Sequence, residues 1–178
     1  MRLRCHRCRR NVPFDVTQYE CACGGTLEIM GGPTFELTTV REDVYTLWRY
    51  REALPLPEGA APVTLGEGWT PLVDTEWAGR PVKMKLESLN PTGSFKDRGG
   101  ALLVAALAGD DARDVVEDSS GNAGAALSAY AARAGLHATV YVPAHASSAK
   151  KAQISVYGAE VVSVPGSRSD TAHAVLRA

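Results

Sequence analysis

Three groups of residues have types and spacings that could do chemistry. The first is Lys96, set in Asn90-Pro91-Thr92-Gly93-Ser94-Phe95-Lys96-Asp97-Arg98-Gly99-Gly100 just before the apolar run Ala101 to Ala108. If that run is a helix, Lys96 falls in or just before its first turn, where the positive end of the macrodipole disfavours an ammonium. A neutral lysine amine attacks carbonyls to give a Schiff base. A lone lysine is most often a solvated surface residue; here small and turn-forming neighbours leave room for a ligand. The second group is Asp118-Ser119-Ser120-Gly121-Asn122, a polar turn between a short strand, Asp114 to Glu117, and an Ala-rich helix, Ala123 to Ala134. Free N–H groups at such a helix start, with the hydroxyls of Ser119 and Ser120, can seat a carboxylate or phosphate. The same residue types also cap ordinary helices, so this turn alone does not decide between the two uses.

The third group is four cysteines. Cys5, Cys8, Cys21 and Cys23 form two close pairs, and the sequence has no others. Two chelating thiolate pairs can complete a tetrahedral structural zinc site, with glycine or small residues turning the chain after each pair. The second pair is Cys-x-Cys rather than Cys-x-x-Cys, which tightens the knuckle. Two disulfides and four free thiols are the alternatives. The arginine-rich start lacks the apolar stretch of a signal peptide, which argues against the disulfides, and the clustering argues against free thiols. His6 lies between better ligands and is read as a surface residue.

Taken together, Asn-Pro-Thr-Gly-Ser-Phe-Lys-Asp-Arg-Gly at 90–99 and Ser-Ser-Gly-Asn-Ala-Gly at 119–124 resemble the fold type II family of pyridoxal-phosphate enzymes, and within it the threonine synthases. The resemblance runs from about Glu67 to Val164. It includes Gly66-Glu67-Gly68-Trp69-Thr70-Pro71-Leu72, Lys151-Ala152-Gln153-Ile154 and Tyr157-Gly158-Ala159-Glu160-Val161-Val162. It implies an α/β fold of the tryptophan synthase β type, with pyridoxal 5'-phosphate on Lys96 as a Schiff base and Asn122 donating to the cofactor's ring hydroxyl. Ser119, Ser120, Gly121, Asn122 and Ala123 would then bind the substrate carboxylate. Phe95 and Asp97 match the motif and are assigned packing and support. The implied reaction takes O-phosphohomoserine and water to threonine and phosphate through an aldimine. A threonine dehydratase, a cysteate synthase or another β-replacement enzyme would share Lys96 and the asparagine loop. Some threonine synthases also carry a cysteine-bearing N-terminal segment. A non-catalytic zinc-ribbon or scaffold protein is the reading from a different class.

The elements that must position these groups follow from the punctuation. A zinc-ribbon-like segment over residues 1–30 ends in Gly31-Gly32-Pro33, and a helix and linker occupy 31–80, with an amphipathic helix expected from Thr39 to Leu54. From 81 to 178, β runs at Val82–Leu86, Val115–Val116, Ala138–Val142 and Glu160–Val164 alternate with helical segments at Lys96–Ala108, Ala123–Ala134, Ser147–Tyr157 and Asp170–Ala178. That alternation predicts a parallel sheet with covering helices. Neither a glycine-rich cradle for the cofactor phosphate nor a partner for the pyridine nitrogen is visible, so the α/β domain is expected to be incomplete at its C-terminus and the complete enzyme a homodimer.

The 178 residues carry a formal net charge of −1 and 45% hydrophobic residues, a globular composition with no electrostatic case for nucleic acid overall. Arg2, Arg4, Arg7, Arg9 and Arg10 make the ribbon basic, so a nucleic-acid module is a rival for that segment. It accounts for about thirty residues and leaves the other two motifs unexplained. No run is long enough to span a membrane, and a cytoplasmic enzyme is the expectation.

Overall fold

The computed structural model describes residues 1–178. Three sheets organise the chain. The first is antiparallel, in the order β2-β1-β3, from β1 (Arg2–Cys5), β2 (Asn11–Pro13) and β3 (Leu27–Met30). The second is a hairpin of β4 (Leu72–Trp77) and β5 (Arg80–Lys85), in register from Leu72↔Lys85 to Trp77↔Arg80. The third is parallel, in the order β6-β7-β8, from β6 (Asp114–Asp118), β7 (His137–Pro143) and β8 (Glu160–Val164). Four α-helices accompany it: α1 (Lys96–Ala108), α2 (Asn122–Ala134), α3 (Ser148–Ser155) and α4 (Arg168–Val175).

The parallel sheet and its helices form because the apolar spacing leaves no other economical burial. Val140 and Val142 of β7, Ile154 of α3, Val104 of α1 and Tyr130 of α2 are fully buried in one cluster. Each such side chain contributes roughly 1.5–3 kcal/mol relative to exposure. Small residues set the helix spacing. A Cβ on Gly100 would lie 3.3 Å from the Ala126 Cβ and 3.2 Å from the Tyr130 ring, so α1 and α2 pack closely there. α2 stops at Gly135, whose φ of +75° gives the left-handed C-cap.

Two expected elements differ. The stretch Thr39 to Leu54 is not an α-helix but two 3-10 pieces, Leu37–Thr39 and Leu47–Ala53, the second kinked at Tyr50. The Leu47 N–H is spent on the Glu67 carbonyl at 2.8 Å, and the Thr46 hydroxyl accepts from the Trp48 N–H, so the helical ladder never starts where the apolar spacing suggested. The run Val82–Leu86 does not join the parallel sheet. Val82 to Lys85 pair antiparallel with β4 through the tight turn at Ala78-Gly79, where both residues have positive φ, and the hairpin crosses residue 80, where the sequence reading ended the linker. The helices expected at Ser147–Tyr157 and Asp170–Ala178 run instead over Ser148–Ser155 and Arg168–Val175, and a capping box between Ser167 and Asp170 starts the latter.

Candidate active site

The loop before Lys96 is fixed by a dense polar network. Asn90 is buried; its Nδ2 donates to the Glu87 carbonyl and carboxylate at 2.9 and 3.0 Å, and its Oδ1 accepts from the Gly68 N–H at 3.0 Å. Asp97, fully buried, accepts from the Thr92 N–H and from the Thr92 hydroxyl at 2.7 Å, closing the turn through Gly93, whose φ is +85°. Gln153 of α3 reaches the Thr92 carbonyl at 3.1 Å. Lys96 is therefore the first residue of a helix whose approach is tied down from three directions, while its own side chain is exposed. Its ammonium lies 5.0 Å from the centre of the Phe95 ring. Phe95 is 57% exposed, so its expected packing role gives way to a ring flanking the amine. Asp97 has the supporting position assigned to it.

The Ser119 to Ala123 loop divides its labour. The Ser119 hydroxyl accepts from the Gly124 N–H at 3.0 Å and so caps α2. Gly124 leaves no space for a side chain: a Cβ there would sit 2.5 Å from the Ser119 carbonyl, beside Val140 and Ile154. The N–H of Ala125 returns to Gly121, which leaves the N–H groups of Asn122 and Ala123 without protein partners. The Ser120 hydroxyl and the exposed Asn122 amide also make no side-chain hydrogen bond. Two free N–H groups at a helix start, flanked by a free hydroxyl and a free amide, suit an anion.

Chain topology brings this loop and Lys96 to the same end of the sheet. α1 leads by a short turn to the start of β6, and the loop leaves the end of β6. Glu117, the penultimate residue of β6, feels the Lys96 charge directly. Burial and the neighbouring Asp118 push its carboxyl up to about 7, against the downward pull of Lys96 and Arg168. Arg168 of α4 closes the side of the loop, 3.7 Å from the Asp118 carboxylate. Glu117 and Arg168 were not singled out from the sequence. The adjacent acids Glu117-Asp118 at a strand's end were the available signal for the first, and nothing local marked the second.

The four cysteine sulfurs all lie within 4.8 Å of one another, with Cys5–Cys23 at 3.5 Å and Cys8–Cys21 at 3.7 Å. Four thiolates about 2.3 Å from a tetrahedral zinc would stand about 3.8 Å apart, so the donor set and spacing fit that ion. All four thiols are free rather than paired as disulfides. The Cys8 N–H donates to the Cys5 sulfur at 3.4 Å, and that bond is the chief cause holding the Cys5 thiol down to about 6. Gly25 is required by this packing: a Cβ there would lie 2.7 Å from the Cys5 sulfur.

Residues 63–178, more than half of the chain, match the family of pyridoxal-phosphate dependent enzymes. The chain belongs to that family, and its α/β architecture is that of the fold type II members. A threonine synthase of Methanocaldococcus jannaschii is 35% identical over 182 aligned residues, covering 94% of this chain and 44% of that protein. A threonine synthase of Halalkalibacterium halodurans is 44% identical over 126 residues, covering 67% and 35%. Among solved structures, cysteine synthase from Entamoeba histolytica superposes with a TM-score of 0.57 at 27% identity, over 62% of this chain and 37% of that one. Serine racemase from Dictyostelium discoideum gives 0.55 at 33% identity, over 61% and 37%. The chain thus spans less than half the length of the curated relatives it matches. No helix is long and apolar enough to cross a membrane.

Proposed function

We propose that this chain is the N-terminal part of a threonine synthase, a carbon-oxygen lyase that converts O-phosphohomoserine and water to threonine and phosphate with pyridoxal 5'-phosphate. The observation that carries this reading is the breadth of the likeness to the Methanocaldococcus threonine synthase, which at 94% of this chain reaches into the cysteine-bearing N-terminal region as well as covering the lysine and asparagine motifs. The division into a ribbon (1–30), a connecting region (31–80) and a catalytic α/β portion (81–178) belongs to the same reading, as do cytoplasmic residence and a homodimeric complete enzyme.

Bound at Lys96, the cofactor supplies an electron sink for charge that develops at the substrate's α-carbon. Lys96 would hold it through Nζ, and the same Nζ, when free, would be the base for the substrate's α-proton. The N–H groups of Asn122 and Ala123, with the Ser120 hydroxyl and Gly121, orient the substrate carboxylate, and the positive end of α2 favours that anion. Ser119 belongs to the same substrate loop, its hydroxyl accepting from the Gly124 N–H and keeping the helix start in shape. The Asn122 amide would serve as a donor to the cofactor's ring hydroxyl. Glu117, near neutrality in its proton affinity, can hold a proton beside the lysine. Cys5, Cys8, Cys21 and Cys23 hold one structural zinc, remote in sequence from the catalytic motifs.

A second reading, a dehydratase or another β-replacement enzyme on the same fold, is favoured by the cysteine synthase and serine racemase neighbours. The experiment that separates them is product analysis with the cofactor-loaded, full-length protein. Equal amounts of threonine and phosphate from O-phosphohomoserine support the proposal. Turnover of serine, O-acetylserine or threonine with no reaction of O-phosphohomoserine overturns it.

A further inference from the structure

A cavity of about 510 Å³ opens between the 3-10 segment Leu47–Ala53, the Gly66 to Leu72 stretch, β5 and the first turn of α1. It is lined by three cations from three separate segments, Arg49, Lys85 and Arg98, together with Thr46, Thr70 and Trp69. Lys96 is not among its walls. Residues two apart on an α-helix project roughly 200° from each other, so Arg98 and this cavity lie across α1 from the amine.

The charges in the cavity do not cancel. Arg98 forms a forked pair with Glu87, Nε and Nη2 each 2.8 Å from a carboxylate oxygen, and Thr70 donates to the same carboxylate at 2.6 Å. That pair leaves Arg98 Nη1 free. Arg49 has no acid partner. Its guanidinium stacks 4.2 Å from the centre of the Trp69 ring, and its Nε is buried without any hydrogen-bond partner. Lys85 donates to the Thr70 carbonyl, which spends one of its three N–H groups and none of its charge. With Glu87, and at longer range the buried Glu67, set against Arg98, Arg49 and Lys85 remain with no carboxylate in contact, and free guanidinium and ammonium N–H groups line the space.

The geometry is held rather than incidental. Trp69 has φ of +48°, a left-handed conformation costly for a bulky residue. Gly68 beside it, with φ of +90°, packs so tightly on Leu47 that a Cβ would come within 2.7 Å of the Leu47 nitrogen. Tyr45 stacks edge-on to Trp69 at 5.2 Å, which fixes the ring that Arg49 lies against.

We propose that this cavity binds a phosphate dianion, either free or as a phosphomonoester, at a site distinct from the one at Lys96. Arg49 and Lys85, neither with an acid in contact, supply the positive charge it needs, and Arg49, preorganised on Trp69, presents the planar donors that suit phosphate oxygens. The inference does not rest on the threonine synthase reading, since no cofactor or reaction enters it.

The test is calorimetric titration of the chain, free of pyridoxal phosphate and at constant ionic strength, with inorganic phosphate and separately with glycerol 3-phosphate. The expected result is saturable binding of one anion per chain, weakened about tenfold or more by Lys85→Gln and by Arg49→Gln. Lys83→Gln removes the same charge from the same strand, where Lys83 pairs with Asp74 outside the cavity, and should leave binding unchanged. Tighter binding of phosphate or of glycerol 3-phosphate tells which source fits, and either supports the site. Absence of saturable binding to both up to about 10 mM, or equal weakening by Lys83→Gln and Lys85→Gln, overturns it.

Discussion

The Tyr130 hydroxyl donates to the Glu67 carboxylate at 2.9 Å, joining α2 to a segment 63 positions earlier in the chain. Both residues are fully buried, and the same carboxylate oxygen accepts from the Thr64 hydroxyl and the Leu65 N–H, while its Oε1 has no partner. Burial and the Glu67 charge both raise the Tyr130 phenol far above its usual range, so it is a permanent donor. Tyr130→Phe leaves that buried carboxylate short of a donor and should cost about 2 kcal/mol of stability. Urea unfolding checks it: the midpoint should fall with an unchanged slope, and a loss under about 0.5 kcal/mol would count against this account of the link.

Glu87 gives an acid-side signature. The Arg98 guanidinium holds its carboxyl down to about 2, helped by hydrogen bonds from Thr70 and Asn90. A carboxyl with a depressed folded-state pKa stabilises above its unfolded value and loses that contribution as pH falls through the folded one. Stability on the order of 2 kcal/mol should therefore disappear between pH of about 4.5 and 2. Glu87→Gln should flatten this part of the stability profile and lower stability at neutral pH.

Glu117 acts in the opposite sense in the adjoining window. Its folded-state carboxyl sits at about 7, above the usual carboxylate range, so the folded protein binds the proton more tightly than the unfolded chain. Stability is then fullest at low pH with respect to this group and declines as pH rises from about 4.5 to 7. Glu117→Gln should remove that decline and raise stability at pH 8, measured by thermal unfolding across the range. If the variant keeps the wild-type slope, another group titrates there.

The cysteine cluster predicts a metal with a specific sensitivity. Protein purified without chelator should carry about one zinc per chain. Gly25→Ala would drive a methyl group into the Cys5 sulfur and should lose the metal while all four cysteines remain. Metal-free wild-type protein with four reactive thiols would contradict the assignment.

Much of the framework was legible because its signals are local. The Ala-rich repeat of α2, the polar turn before it and the valine-rich strands β6 to β8 each carry their own period and boundary. The Thr39 to Leu54 stretch misled because its apolar spacing is helical, whereas the bond that decides its conformation, Leu47 to Glu67, is tertiary. Val82 to Lys85 read correctly as a strand but not as to its partner, since alternation does not say which neighbour a strand takes. At the site, Lys96 and the asparagine loop were visible as motifs. Glu117 acquires its proton affinity only through folded burial, and Arg49, Lys85 and Arg98 meet only in three dimensions.

Asn122 and Lys96 should separate binding from chemistry. On the proposed reading Asn122→Ala removes a ring-hydroxyl donor and not the covalent link, so it should lower turnover by about tenfold or more while the cofactor remains attachable. A variant with full turnover would remove Asn122 from the cofactor's contacts.

The most direct measurement is borohydride reduction of the cofactor-loaded, full-length protein followed by peptide mapping. The pyridoxyl group should be found on Lys96, and Lys96→Ala should abolish both the label and turnover. A label on Lys83, Lys85, Lys150 or Lys151, with Lys96→Ala still labelled and active, would contradict the assignment of this lysine as the cofactor's anchor.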